Sequence, residues 1–176
     1  MSDATQHLYP SAYAAKDPDR VAFTMCNTSE VVTYGALEAR SNQGAQLFRS
    51  LGLAPGDHVA IAANNDRQYL EFCFAADRSG LYYTTINTRL TAADIGHIVG
   101  DCGARLILVG ADVLDQLPGL DGQLAGVPYR YIIGGRADGF SVWDETIADY
   151  TVIPIDDEHQ GLDMLYSSGT TGRPKG

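Results

Sequence analysis

Apolar and polar positions along this chain change period repeatedly, and each change marks a switch between strand and helix. Short apolar runs at residues 58–62, 81–86, 105–109 and 129–133 are bounded by glycine, proline, asparagine or aspartate and have strand length. Between them the apolar residues fall at helical spacing. Leu37, Ala45, Leu47, Phe48 and Leu51 lie near one face of a helix running to about Ser50, and Tyr69, Leu70, Phe72, Cys73 and Ala76 follow the buried face of another. Strands alternating with helices predict an α/β fold: a largely parallel sheet flanked by helices, with a short hairpin near the N-terminus.

Start and stop signals set the expected limits. A short helix is expected at residues 8–16, and residues 21–25 and 30–33 pair as a hairpin across Asn27, Thr28 and Ser29. Thr33 offers a hydroxyl to cap the first long helix; Gly52 and Pro55, Gly56 and Asp57 then turn the chain into the strand at 58–62. Gly80 ends the second long helix. Thr91 and Asp94 have the spacing of a capping box for a helix through Val99, closed by Gly103. The later half is less regular. It carries a short helix at 111–117, a glycine-rich turn at 134–139, a short helix capped by Ser141, and an exposed acidic connector at Asp156, Asp157 and Glu158. Residues 162–166 read as a strand that delivers the last segment, and neither internal repeats nor low-complexity stretches interrupt this order.

Composition narrows the partners. With 176 residues, 45% of them apolar and 19% charged, the chain can bury a core of domain size and has no disorder signature. A formal net charge of −10 disfavours nucleic-acid backbones and anionic membrane surfaces, although a local basic loop can still hold a nucleotide. Residues 1–20 lack a charged and then apolar leader, and no stretch has the roughly 20 apolar residues of a membrane span, so the expected setting is cytoplasmic. Cys26, Cys73 and Cys102 are widely spaced and odd in number, which reads as reduced thiols, mostly in the core, rather than a disulfide framework or zinc site.

The chemistry concentrates in the final eleven residues. Ser167, Ser168, Thr170 and Thr171 set four hydroxyls around Gly169 and Gly172, whose missing side chains let backbone N–H groups approach an anion. Lys175 adds a mobile positive charge suited to phosphate oxygens, Arg173 a second cation, and Pro174 stiffens the approach. No carboxylate interrupts the run. A Walker-type P-loop is excluded, because Lys175 is followed by Gly176 and not by the magnesium-binding hydroxyl residue. The plainer reading is a flexible Ser/Thr/Gly surface loop, which has no need of ordered glycines and a proline-lysine pair behind a strand.

This run, from Tyr166 to Gly176, resembles the phosphate-loop signature of the adenylate-forming superfamily, which includes acyl-CoA synthetases, luciferases and peptide-synthetase adenylation domains. A second resemblance, to the N-terminal regions of acyl-CoA synthetases, runs through Thr33 and Tyr34, Ser41 and Asn42, residues 52–61, residues 80–83 and residues 87–91, and so covers most of the chain. Ser167 departs from the common threonine but keeps the hydroxyl; Thr85 stands where proline is common. The resemblance implies that residues 1–176 form the N-terminal part of an AMP-binding adenylation domain, truncated at the phosphate loop 166–176. It also implies two steps. A carboxylic acid, fatty by the likeness of residues 80–91, attacks ATP to give an acyl-adenylate and pyrophosphate, and the thiol of coenzyme A then takes the acyl group. Ser167, Ser168, Gly169, Thr170, Thr171, Gly172 and Lys175 would bind the β- and γ-phosphates, with Mg2+ sharing the charge. By the same resemblance the catalytic, adenine-binding and coenzyme A-binding residues lie beyond Gly176, so the chain alone is expected to fold without catalysing, and its bared apolar faces to associate as homo-oligomers. An adenylation domain for an amino or aryl acid, and a non-catalytic α/β binding module, stay open as alternatives.

The remaining candidates have plain readings. The run Asp156, Asp157, Glu158 and His159 contains metal-ligand types, but neighbours on an extended segment point apart, so a solvated connector is expected and no metal site. His7, His58 and His97 are isolated and read as structural, Cys73 as core filler, and Tyr82, Tyr83 and Trp143 as packing residues before acyl-pocket residues. Arg89 is expected to pin its loop by hydrogen bonds to backbone carbonyls.

Overall fold

The computed structural model describes residues 9–166 and Gly176. In chain order the elements are α1 (Ser11–Ala14), β1 (Val21–Thr24), β2 (Val31–Thr33), α2 (Tyr34–Ser50), β3 (His58–Ala62), α3 (Arg67–Arg78), β4 (Tyr82–Thr85) and α4 (Ala92–Asp101). They continue with β5 (Leu106–Gly110), α5 (Ala111–Gln116), α6 (Leu120–Gln123), β6 (Tyr129–Ile133), β7 (Ser141–Val142), α7 (Trp143–Ala148) and β8 (Leu162–Asp163). β1 and β2 form the antiparallel hairpin, and the other six strands form one sheet in the order β7-β6-β5-β3-β4-β8, with every pairing parallel.

Parallel strands need crossovers, and here the helices that make them cover both faces of the sheet. Odd and even positions of a strand therefore both meet apolar partners. Val59 and Ile61 of β3 and Leu106 and Leu108 of β5 pack with Phe48, Phe72, Ala75 and Trp143 from α2, α3 and α7. Ala60, Ala62, Ile107 and Val109 turn to the other face, against Ile95 and Ile98 of α4, Val113 of α5 and Leu120 of α6. The doubly covered strands explain why the sequence reads as continuous apolar runs there. Trp143 is fully buried and lies 5.5 Å from Phe72, 5.9 Å from Phe48 and 5.8 Å from Tyr131 by ring centroids, so its role is core packing.

Helix ends follow the expected chemistry with two corrections. The Thr33 hydroxyl accepts from Ala36 N at 3.2 Å, and Thr91 accepts from Asp94 N at 3.2 Å. The Asp94 carboxylate answers by accepting from the Thr91 hydroxyl at 2.6 Å, where a full capping box would use the backbone N–H. Ser141 does not cap a helix: its backbone is paired with Tyr131 in β7, and α7 begins after Val142 without a side-chain cap. The strand expected at 162–166 covers only Leu162 and Asp163, opposite Tyr82 and Tyr83, although Met164 N still donates to Tyr83 O at 2.9 Å. α6 had no counterpart in the sequence pattern.

α3 departs most from its simple apolar stripe. Leu70, expected on the buried face, is 38% exposed, while Gln68, Glu71 and Arg78 are buried. Glu71 is held by Arg40 and Arg67, both 3.1 Å away, and Asp144 of α7 pairs with the same two arginines and accepts from Gln68 at 2.5 Å. This charged knot fastens α2, α3 and α7 together. Burial raises the Glu71 carboxyl, against the lowering pull of the two arginines.

Candidate functional site at the carboxyl edge of the sheet

From β3 the chain steps to β4 on one side, crosses to β5 on the other, and continues outward through β6 and β7. The reversal puts a crevice at the carboxyl ends of β3 and β5, the place where open parallel sheets receive ligands. An open cleft of about 830 Å3 lies at this edge, between the hairpin at residues 23–27, the turn at 63–66, the start of α3 and residues 86–88 after β4. A smaller cleft of about 210 Å3 adjoins it and shares Asn27 and residues 63–66, reaching Gly110, Asp112 and Gly134 after β5 and β6.

Polar side chains tie the loops of this edge together. Thr88 donates to Asn64 Oδ1 at 2.8 Å, and Asn64 Nδ2 donates to Asp112 Oδ2 at 2.7 Å, so loops from three adjacent strands share one hydrogen-bonded chain. Asp66 caps α3 by accepting from Gln68 N at 3.3 Å. The wall beneath is apolar, with Phe23, Tyr69, Leu70 and Ile86 among the lining residues. Among the described residues, none lining either cleft is lysine, arginine or histidine. Amides, hydroxyls and apolar surface of this kind can position a neutral or weakly polar group, whereas a polyanion would need cations besides these residues.

Arg173 and Lys175 are the cations of the final segment in the sequence. Ser167, Ser168, Gly169, Thr170, Thr171, Gly172 and Lys175, the residues expected to bind phosphate, lie outside the described residues. Their flanks are described. β8 runs parallel to β4, so its carboxyl end points to the same edge as the clefts. Beyond it, Tyr166 donates its hydroxyl to Asp101 Oδ2 at 2.5 Å; desolvation and this contact raise its pKa, and its ring packs with the α4 face of the core. Gly176 lies against that ring: a Cβ there would come within 2.8 Å of Tyr166 Cζ.

The structure also places the other candidates. Arg89 is exposed, and the bond that shapes its loop is its own N–H donated to Asn87 Oδ1 at 3.0 Å, not a guanidinium contact to carbonyls. Cys73 is buried, its thiol pushed up to about 12 by desolvation and then by Asp77; Cys102 is also buried, and Cys26 is exposed at the cleft. His58 stacks on Tyr82 at 4.8 Å, and His7 lies outside the described residues. The acidic connector is more than a solvated link, since Asp157 pairs with Arg49 at 3.0 Å and Glu158 with the fully buried Arg78 at 3.3 Å. Among the described residues no group of three or more His, Cys, Asp or Glu could hold a metal ion, and no helix is long and apolar enough to cross a membrane. The Asn64, Asn65 and Asp66 turn escaped the sequence reading; its signal was a polar cluster directly after a buried strand.

Comparison with known proteins supplies the family. The chain matches the AMP-binding enzyme family over residues 11–176. It is 32% identical to the fatty acid–[acyl-carrier-protein] ligase ScoC of Streptomyces coeruleorubidus over 94% of this chain and 31% of that one. It is 29% identical to the long-chain-fatty-acid–CoA ligase FadD13 of Mycobacterium tuberculosis over 93% of this chain and 32% of the relative. In three dimensions the anthranilate CoA ligase AuaEII, solved with anthranoyl-AMP, superposes with a TM-score of 0.83 at 23% identity, over 94% of this chain and 32% of that one, which shows a common fold. The chain thus spans about a third of the length of the relatives it matches. Enzymes of this kind activate a carboxylic acid with ATP, and with its strand order, its carboxyl-edge crevice and a match over nearly its whole length, the chain belongs to the AMP-binding enzyme family.

Proposed function

We propose that this chain forms the front portion of a longer acid–thiol ligase, in which residues 167–175 bind the β- and γ-phosphates of ATP while a fatty acid is converted to its acyl-adenylate. The carrying observation is the run of four hydroxyls, two glycines and Lys175, separated by three residues from an edge strand whose carboxyl end lies at the same edge as the clefts, in a chain of this family. Backbone and hydroxyl donors at residues 167–172 would hold the phosphates in line and offset charge on the departing pyrophosphate, with no proton transfer required of them. Lys175 supplies a positive charge that the described residues lining the clefts do not. Magnesium, as in related enzymes, would share the phosphate charge when bound.

Two relatives named as fatty-acid ligases support a fatty acid as substrate, one named for acyl carrier protein and one for coenzyme A as acceptor. Coenzyme A is the acceptor of this reading. The reading carries with it a cytoplasmic setting, where ATP is supplied. The test is acid-dependent ATP–pyrophosphate exchange by the full-length ligase with fatty, aryl and amino acids offered separately. Fatty-acid-dependent exchange that Lys175→Ala weakens supports the proposal; exchange confined to aryl or amino acids moves the substrate class, and silence with every acid favours a binding module. The isolated 176 residues are proposed to be inactive, which measurable acid-dependent pyrophosphate release would contradict. Association through exposed apolar residues such as Ile153 and Leu165 belongs to the same proposal, and a single monomeric species in light scattering at high concentration counts against it.

A further inference from the structure

Residues 149–161, between α7 and β8, contain neither helix nor strand apart from one isolated bridge, yet their backbone is held at repeated points along its path. The holding groups form a stripe on α2. Asn42, Gln46 and Gln43 donate their side-chain amides to the carbonyls of Val152, Ile153 and Tyr150, each at 2.9 Å. One turn further along, Arg49 faces three directions at once. Its Nε donates to the Asp157 carboxylate at 3.0 Å, Nη1 to Leu53 O at 3.0 Å and Nη2 to Ser79 O at 3.0 Å. Positions 42, 46 and 49 recur at the three-to-four spacing of one helix face, so a single helix reads out the path of the connector.

Arg78 completes the arrangement from the end of α3. It has no exposed surface, donates twice to Glu38 at 3.1 and 2.5 Å, and pairs with Glu158 of the connector at 3.3 Å. His159 N then donates to Arg78 O at 3.0 Å, and Gly161 N to Asp77 O at 2.6 Å. Gly161 passes so close to the sheet that an added Cβ would collide with Leu81 O. The next residue opens β8.

β8 has little to hold itself in place. It is two residues long and both are exposed, Leu162 by 56%, so burial of its own side chains does not fix its register. A slip of one residue in a strand displaces the segment after it by about 3.3 Å and turns side chains to the opposite face. That distance exceeds the tolerance of any hydrogen bond to a phosphate oxygen. We propose that Arg49 and Arg78 are positioning residues that set the register of β8, through Asp157 and Glu158, and thereby place residues 167–175 for ATP. This rests on the phosphate-binding role proposed above for that segment.

The test uses the full-length ligase. Arg49→Gln is the leading variant because its side chain is one-fifth exposed, and Asp157→Asn removes the same contact from the connector side, so a folding defect in one does not end the experiment. Hydrogen exchange should show faster exchange for residues 162–164 than in the wild type, with residues 58–62 unchanged. Steady-state kinetics should show KM for ATP raised roughly tenfold or more in both variants, with KM for the acid unaltered. Arg49→Lys, which keeps a charge opposite Asp157, should recover part of the change. Unchanged ATP KM in both variants, or equal rises for ATP and acid, overturns the positioning role even if exchange at 162–164 quickens. Absence of acid-dependent pyrophosphate exchange in the wild type is a different result, because it removes the ligase reading itself and this proposal with it.

Discussion

The same substitution, glycine to alanine, should have opposite signs at two helical positions. Gly44 sits where α2 crosses α3 and α7, and a Cβ added there would lie 2.7 Å from Ala75 Cβ and 3.2 Å from Trp143 Cζ2. Ala75 Cβ is fixed to the backbone and cannot rotate aside, so the helices must move apart. Alanine gains about 1 kcal/mol of helix propensity over glycine, but overpacking a filled core costs about 1–3 kcal/mol, for a net effect between about zero and a loss of about 2 kcal/mol. Gly100 is exposed near the end of α4, with nothing within 4 Å of an added Cβ. Alanine there should stabilise by about 0.5–1 kcal/mol, because the unfolded chain loses freedom and the folded chain meets no obstacle. The two variants should therefore differ by about 0.5–3 kcal/mol. Equilibrium urea unfolding, read by midpoint at constant slope, measures the difference. Equal midpoints, or a more stable Gly44→Ala, would refute the close packing of α2 on α3 and Trp143.

Further tests probe the charges and thiols. Glu71→Ala should cost about 1.5–3 kcal/mol, because it removes the buried carboxylate that accepts from Arg40 and Arg67 while Asp144 still pairs with both, whereas Arg136→Ala, at an exposed pair with Glu145, should change stability by less than about 1 kcal/mol in the same unfolding assay. Iodoacetamide near pH 8 should label exposed Cys26 and spare buried Cys73, whose thiol is pushed up to about 12; peptide mass mapping reads the sites, and early labelling of Cys73 would contradict its burial. The Asp157 carboxyl is held below its usual range by the hydrogen bond from Arg49, so its contribution to stability is fully present above the unfolded value, near 3.9, and is lost as pH falls through the lowered folded value. Carboxyl NMR titration should show this low value in the wild type and an ordinary one in Arg49→Gln.

The parallel core was legible because its strands are buried on both faces and bounded by turn residues: β3 and β6 lie at residues 58–62 and 129–133, where the apolar runs predict them. Local signals such as Thr33 and Thr91 were equally readable, since a cap needs only neighbours within three residues. The features that escaped depend on distant partners. Glu71, Gln68 and Arg78 look like a solvent face of α3, and besides Arg67 on the same helix it is Arg40, Asp144, Glu38 and Glu158, far away in sequence, that make their burial tolerable. Leu70 is exposed for the converse reason, because it lines the open cleft. The strand before the final segment came out shorter than its apolar run, as β4 offers it only two paired positions. For the site, the hydroxyl, glycine and lysine run was plain in sequence. The Asn64 and Asp112 network was not, because β3 and β5 become neighbours only through the crossing of the sheet.

Binding of the ATP phosphates by residues 167–175 underlies the whole functional reading. The ATP dependence of acid-driven pyrophosphate exchange in the proposed full-length ligase, compared between wild type and Lys175→Ala, probes it at its root. A markedly higher KM for ATP is expected in the variant, with the KM for the acid unchanged; identical ATP dependence in the two proteins would contradict phosphate binding by this segment.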